Sequence, residues 1–391
     1  MAKPTFVVAG AGVAAATAAD TLRSSGFDGR LVMVGREADP PYNRPTLSKE
    51  RLRGEINDDG ALFHPPDYYA AKEIELLLDR ELQHVSVAEN LVRFADGTTI
   101  AYDRLLIATG AKLRYLPAPG GELAGIYYLR SLRDCRSLSD ALKQKPGVLV
   151  LGTGFIGCEV AASARMLGCD VTLVGNTPPL AHALGPEIGE AYAQYHRLQG
   201  ATVRIGTFAE RFEGSGRLER AVLFDGSTVN CDLAVIGIGV EPSVEIVRNE
   251  PLEIHDGILV DEYCKTSVPN VFAAGDVADS WNPRYARRIR VEHFNNALQQ
   301  AVVAAKSMLG PTDPYNPIPS FWSDQYSYNL EYRGHAPEWD ATVFRGSTGD
   351  ASFSAFYLKN GAVQAVCSVN RRKENYAARN LIGKQVEPRL L

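Results

Sequence analysis

The sequence of 391 residues contains no C-x-x-C pair. Its six cysteines, Cys135, Cys158, Cys169, Cys231, Cys264 and Cys367, stand far apart. That spacing offers neither a local dithiol redox pair nor a short metal-ligand motif, so the thiols read as small buried hydrophobes in a reduced chain. Net positive charge is also lacking. The formal balance is −5 at pH 7, which gives no support to nucleic-acid binding, whose usual footprint is a concentrated basic face. No segment is apolar for the ~18–20 residues that a membrane span requires. The apolar run from Phe6 to Ala19 behind Lys3 has the outline of a signal peptide, but Gly10 and Gly12 interrupt it and a helix-then-strand pattern follows. A cytoplasmic protein is therefore expected. With 45% apolar and 22% charged residues the composition is that of a soluble globular enzyme, and the length allows two or three domains.

What is present is a repeat. FVVAGAGVAA (Phe6 to Ala15) reads as a buried strand, a glycine turn and a helix start, and VLVLGTGFIG (Val148 to Gly157) has the same form. Each runs through a helix into a second strand, LVMVG (Leu31 to Gly35) and VTLVG (Val171 to Gly175). Further on, DGTTIAYDRLLIATGA (Asp96 to Ala111) aligns without a gap on DGSTVNCDLAVIGIGV (Asp225 to Val240), which carries Gly237 and Gly239. Asp-Gly suits a hairpin turn because glycine reaches positive φ cheaply. The apolar runs that follow are of the buried parallel type. The fold class is thus α/β, with two tandem Rossmann-like dinucleotide-binding domains.

The glycine turns carry chemistry. A pyrophosphate needs backbone amides and a helix dipole with no side chain in the way. Gly10 permits the tight turn, Gly12 lets backbone approach phosphate, and Ala15 lets helix and strand pack. Glu37, just past the second strand, is placed to accept ribose hydroxyls, although alone it reads equally as a solvated loop acid. Gly152, Gly154 and Gly157 make a fuller G-x-G-x-x-G, with Phe155 and Ile156 inside it and Glu159 just beyond. Glu159 alone also reads as an early helix acid stabilised by the dipole. Two adjoining sites are what direct hydride transfer requires, since donor and acceptor must come within about 3–3.5 Å.

After the second repeat, NVFAAGDVAD (Asn270 to Asp279) reads as a strand ending in Gly-Asp, and Arg290 to Met308 as a helix. Gly310, Pro311 and Pro314 mark a boundary. From about Tyr315 the pattern alternates as strands do, with a hairpin at Asn360-Gly361 and a short helix near Lys373 to Ile382, as in a small C-terminal α+β domain.

P-Y-x-R-P-x-L-S-K (Pro41 to Lys49), I-A-T-G (Ile107 to Gly110), A-A-G-D (Ala273 to Asp276) and F-W-S-D-Q-Y (Phe321 to Tyr326) together resemble the FAD-dependent NADH:ferredoxin reductases of oxygenase systems, over essentially the whole chain. The resemblance implies a glutathione-reductase-like architecture. Residues 1–112 and 241–313 would bind FAD, 113–240 would bind NAD(P)H, and 314–391 would form the C-terminal domain. It implies that Gly10, Gly12 and Ala15 hold the FAD pyrophosphate and Glu37 its ribose. Arg44 and Lys49 would lie near the flavin, with Lys49 paired to Glu159. Leu82 would fix the adenine through backbone atoms, Thr109 and Gly110 close the strand behind the cofactor, Arg130 reach its phosphates or ribose, and Asp276 bond the ribityl chain. Glu292, His293 and Phe294 would flank the flavin ring, and Trp322 the approach of the nicotinamide. Taken singly, Trp322 also reads as core and His293 as a helix-cap histidine. Glu159 would contact the nicotinamide carboxamide.

Members that prefer NADH usually carry an acid after the strand where this chain has Gly175 and Asn176, and no Arg or Lys stands there for a 2′-phosphate. NADH is the expected donor and NADPH the alternative. Related disulfide reductases carry cysteines in the region of Pro40 to Gly54. None is present here, so a disulfide acceptor is excluded and electrons must leave singly. The implied partner is an acidic [2Fe–2S] ferredoxin serving a cytochrome P450 or Rieske oxygenase. Arg284, Arg287, Arg288 and Arg290, or Arg371, Arg372 and Lys373, offer basic docking faces, although each also reads as a solvated surface. Rubredoxin, a quinone or oxygen are alternative acceptors. A partner-binding flavoprotein resembling apoptosis-inducing factor is another, disfavoured by the lack of basic surfaces and long insertions.

Overall fold

The computed structural model describes residues 3–387 and 389. These fall into two compact units. The described residues of Met1–Asn43, Asp59–Lys112 and Val240–Pro319 form the first, and those of Arg44–Asp58, Leu113–Gly239 and Ser320–Leu391 the second. The units thus group 44–58 and 320–391 with 113–239, whereas the family resemblance divides the chain at 112, 240 and 313.

In the first unit the Val, Leu and Ile runs build a five-stranded parallel sheet in the order Val271–Ala273, Arg104–Ile107, Thr5–Ala9, Arg30–Val34, Ile74–Leu77. Ala9 lies opposite Val34 on one side and Ile107 on the other. The signal-like run therefore forms the central strand and the helix Val13–Ser24. Val7 and Val8 are fully buried, each contributing about 1.5–3 kcal/mol of apolar transfer. Ala15, Ala18 and Ala19 of that helix share one core with Ala301, Ala304 and Ala305 of the helix Phe294–Leu309. That helix starts at Phe294, not at Arg290. The preceding Arg287–Ile289 pairs antiparallel with Ala278–Asn282, because Arg288-Ile289-Arg290-Val291 alternates polar and apolar with period 2.

The second unit repeats the plan. Its parallel sheet runs Ile126–Tyr127, Leu233–Ile236, Gly147–Leu151, Asp170–Gly175, Thr202–Ile205. The glycine-turn strand is again central, flanked by the strand that follows the Asp-Gly hairpin. The two hairpins also match in detail. Asp96 Oδ1 accepts from Thr98 N and Oγ1, and Asp225 Oδ1 from Ser227 N and Oγ. The same unit carries a five-stranded antiparallel sheet in the order Ser320–Gln325, Tyr328–Gly334, Ala362–Val369, Ser352–Lys359, Ala341–Ser347. Its hairpin turns at Asn360 and Gly361, both at positive φ as a type I′ turn requires. The short helix beyond is confined to Arg372–Ala378.

All six cysteines are buried and free. Burial in apolar surroundings pushes their thiols up, that of Cys135 to about 11 and that of Cys231 to about 12. Among the described residues no group of His, Cys, Asp and Glu is gathered as for a metal ion, and no helix is long and apolar enough to cross a membrane.

Candidate functional site

Each unit holds one glycine cradle, and the two share a steric design. Gly10 has φ +137°, and a Cβ there would sit 2.1 Å from the carbonyl oxygen of Ala108. Gly152 has φ +115°, and its Cβ would sit 2.1 Å from the carbonyl oxygen of Gly237. Ala108 and Gly237 are equivalent in the second repeat, so each turn is pressed against the same point of its neighbouring strand. Only glycine fits at both places. Gly12 and Gly154 have ordinary φ of −90° and −76° and cap the helices Val13–Ser24 and Phe155–Met166. A Cβ at either would meet nothing within 4 Å. Neither helix has a side-chain cap bond or an acid in its first turn. The amide ends of both helices are left to an external anion, as the dipole favours. A dinucleotide pyrophosphate fits both cradles.

The third position differs. Ala15 is fully buried, whereas a Cβ on Gly157 would lie 2.0 Å from the carbonyl oxygen of Gly152. Gly110 and Gly239 lie beyond the ends of the flanking strands Arg104–Ile107 and Leu233–Ile236, at φ +68° and +97°. Ser243 N donates to Gly110 O at 3.0 Å, and Thr109 Oγ1 donates to Ser243 O at 2.7 Å. Past the second strand, Glu37 accepts from Tyr42 Oη at 2.5 Å. By the repeat, Thr177 takes the place of Glu37, and both Asn176 and Thr177 are exposed.

In the second unit the structure brings Lys49 and Glu159 together. Lys49 Nζ donates to Glu159 Oε2 at 2.9 Å, and both side chains are about 95% buried, with exposures of 5% and 4%. Such a pair is retained only where further hydrogen bonds satisfy the charges. Ser48 Oγ also donates to Oε2, and Ser323 Oγ donates to Oε1 at 2.8 Å. Glu159 is the fifth residue of its helix, beyond the first turn, so its partners account for it better than the dipole does. Ser48 and Ser323 complete this arrangement around Glu159, and sequence reasoning passed them over. Both lie inside the quoted motifs, in P-x-L-S-K and F-W-S-D-Q-Y, and that is the signal that could have found them.

The remaining expected site residues are distributed as follows. Arg44 donates to the carbonyl of Arg130, whose own N–H donates to Asp134 at 3.1 Å; both arginines belong to the second unit, with Phe155, Ile156 and Trp322. Phe155 meets the Phe321 ring edge-on at 4.9 Å. Ile156 is an exposed apolar side chain in the first helical turn, 47% accessible. Trp322 is half-buried on the Ser320–Gln325 strand, opposite Glu331. In the first unit, Leu82 starts a strand at a β-bulge and packs partly on the core. Asp276 follows Gly275, whose N–H donates to Gln300 Oε1 at 2.8 Å. Glu292 is exposed and paired with Arg290. His293 occupies the N-cap position ahead of Phe294, without a side-chain cap bond.

The basic clusters divide by their partners. Arg288 donates to the carbonyls of Val260 and Asp279, and Arg290 pairs with Asp256 and Glu292. Arg371 and Arg372 pair with Glu374 and Glu331. Arg284, Arg287 and Lys373 are exposed.

Tandem dinucleotide cradles of one design, without a reactive thiol, define a two-nucleotide flavoprotein oxidoreductase. A family model described as pyridine nucleotide-disulphide oxidoreductase matches residues 4–306, and one described as reductase C-terminal matches 320–390. The chain belongs to the pyridine nucleotide-disulphide oxidoreductase family. It is 37% identical to the anthranilate 1,2-dioxygenase system ferredoxin–NAD(+) reductase component of Burkholderia cepacia, over 99% of this chain and 96% of that protein. Rhodocoxin reductase of Rhodococcus erythropolis is 35% identical, over 97% and 90%. A crystal structure of the covalent putidaredoxin reductase–putidaredoxin complex superposes with a TM-score of 0.96 at 34% identity, covering 100% of this chain and 96% of that one. These matches bear out the family resemblance drawn from the motifs.

Proposed function

We propose that the protein transfers a hydride from NADH to FAD and passes the electrons singly to a [2Fe–2S] ferredoxin serving an oxygenase. One observation carries the reading: two helix N-termini, each behind a glycine that tolerates no side chain, with no accessible thiol to act as a disulfide relay. Bound FAD supplies acceptance of two electrons together and their release one at a time.

The chain's own residues position and screen. In this reading residues 1–112 and 241–313 hold FAD through Gly10, Gly12 and Ala15, with Glu37 on the ribose and Asp276 on the ribityl chain. Residues 113–240 hold the dinucleotide through Gly152, Gly154 and Gly157, and 314–391 form the C-terminal domain. Glu159, held from three sides, orients the nicotinamide carboxamide, and Lys49 presents its ammonium to the flavin. NADH is favoured on the likeness to NAD(+) reductases, with NADPH the alternative, because Thr177 supplies no carboxylate to repel a 2′-phosphate. The lack of a spanning helix among the described residues fits a cytoplasmic setting.

The acidic carrier docks on the first unit's Ala278–Asn282 and Arg287–Ile289 hairpin. There Trp281 is 37% accessible and Arg284 and Arg287 are exposed, a pairing of aromatic and arginine typical of binding hot spots. Arg288 and Arg290 serve mainly within the fold.

The test mixes purified yellow protein with NADH or NADPH under anaerobic conditions, then with ferredoxin. Flavin bleaching by NADH followed by ferredoxin reduction is expected. A protein that takes up no flavin overturns the reading. Reversing Arg284 and Arg287 to Glu should raise the ferredoxin KM about tenfold and flatten its salt dependence. An unchanged KM and salt slope remove the docking face.

A further inference from the structure

A second observation lies behind Glu159. From its Oε1 a line of buried polar groups runs inward through the second unit: Ser323 Oγ at 2.8 Å, then Gln325 Nε2 to Ser323 Oγ at 3.2 Å, then His196 Nε2 to Gln325 Oε1 at 3.1 Å, then Tyr326 Oη to His196 Nδ1 at 3.0 Å. Ser323, Gln325 and His196 are each no more than 1% accessible.

The carboxylate fixes the direction of every bond. An ionised Glu159 only accepts, so Ser323 must donate its one hydrogen to it. Ser323 then accepts from the Gln325 amide nitrogen, which turns the amide oxygen toward His196. His196 must therefore carry its proton on Nε2, leaving Nδ1 to accept from Tyr326. Burial favours the neutral ring this requires, holding His196 down at about 4. Its ring faces the Tyr326 hydroxyl and the Gln325 amide, while Arg165 and the Cys158 thiol act on Tyr326. Tyr326 sits at φ +56° in the hairpin between Gln325 and Tyr328. A bulky residue there is strained, and it meets the His196 ring edge-on at 5.4 Å.

We propose that His196 is a positioning residue for Glu159, acting through Gln325 and Ser323 to fix the orientation of the carboxylate and with it the place of the Lys49 ammonium. The proposal rests on the hydride-transfer reading for its functional consequence. The chain itself stands on geometry alone.

The experiment uses the full flavin-loaded chain as wild type, His196→Phe, His196→Gln, Ser323→Ala and the double variant His196→Phe/Ser323→Ala. Two readouts are taken. The first is the limiting rate of flavin reduction and the NADH Kd by stopped flow. The second is the nitrogen-15 spectrum of the histidine rings, with His196 assigned by its loss in His196→Gln. Ser323→Ala should slow reduction about tenfold, the loss of one hydrogen bond to a charged acceptor, and His196→Phe, which releases Gln325 and through it Ser323, by no more than that, each with Kd changed less than about twofold. The double variant should be no slower than Ser323→Ala alone, because both cut one line. His196→Gln, which can still donate and accept, should recover most of the rate. The wild-type ring should be neutral and protonated on Nε2 from about pH 5.5 upward, and Ser323→Ala should disturb that tautomer.

Multiplicative losses in the double variant, wild-type rates in both singles, or a ring protonated on Nδ1 each overturn the proposal. If His196→Phe does not fold, Ser323→Ala and the ring spectrum decide it. Wild-type protein that NADH fails to bleach removes the functional reading, and the tautomer's response to Ser323→Ala then decides the coupling by itself.

Discussion

Replacing Gly154 by alanine separates what the fold needs from what the dinucleotide needs. Gly154 caps the helix Phe155–Met166 at φ −76° and ψ −179°, a conformation any residue adopts, and a Cβ there meets nothing within 4 Å. The folded chain loses only the N-cap preference for glycine over alanine, at most about 1 kcal/mol, so the melting temperature should move by no more than about 4 °C. The dinucleotide loses more. In the proposed reading a methyl group would stand over the amides that close on the pyrophosphate, and forfeiting one or two charge-assisted hydrogen bonds costs about 1.5–3 kcal/mol each. The NADH Kd should therefore rise between about tenfold for one weak bond and about ten-thousandfold for two strong ones, with flavin content unchanged. Gly152→Ala is the contrasting case. Its Cβ falls 2.1 Å from Gly237 O, where ordinary contact begins near 3.4 Å, and its φ is +115°. That variant should lose stability and NADH binding together. The assay is a titration of oxidised and reduced dinucleotide against each purified variant, beside its melting curve. Gly154→Ala binding NADH within about threefold of wild type would refute the assignment of this cradle.

The same logic in the first unit predicts that Gly12→Ala folds with near wild-type stability but is purified substantially depleted of flavin, read from the ratio of visible to ultraviolet absorbance. Lys49→Met leaves a buried carboxylate without its cation and should lower stability by about 3 kcal/mol in urea; Lys49→Met/Glu159→Gln should recover part of that loss. His196, held at about 4 against an ordinary 6.5, gives a pH window with a definite sign. Above pH 6.5 both states are neutral and this group contributes no slope. As pH falls from 6.5 to 4 the unfolded ring takes up a proton that the folded ring refuses, and stability drops by about 1.4 kcal/mol per pH unit. Below 4 the slope ends. His196→Gln should lack this component when urea midpoints are compared across the window, and an identical pH slope in the two proteins would contradict it.

The parts of this molecule legible in its sequence are those dictated by backbone. Glycine at 10 and 152 answers a steric demand from one carbonyl just past the end of the adjacent strand, that of Ala108 or Gly237, and that strand is visible as the second half of each repeat. Two local patterns thus announce both the parallel sheets and the points where they pinch the turns. The parts that were not legible depend on side chains meeting across long separations. Ser48 and Ser323 meet Glu159 from stretches up to 164 residues away, with Gln325 and His196 in line behind Ser323, and no period in the chain marks such a meeting. The segment from Arg44 to Asp58 behaves likewise. Its proline-rich sequence carries no regular pattern, and its grouping with 113–239 comes from Leu47, Leu52 and Ser48, which are buried in the second unit. Even the misplaced helix start at Arg290 belongs here, since a period of 2 over four residues is too short to outvote the helical run behind it. The two repeats have kept what the backbone requires and diverged where side chains read a ligand. Glu37 has become Thr177, Ala15 has become Gly157, and only the second helix carries an acid like Glu159. Cradles of one steric design with different side-chain surroundings are what a protein needs if one cradle is to keep its dinucleotide and the other is to exchange it. The requirement that Gly12→Ala and Gly154→Ala fail in different cofactors follows directly from that asymmetry.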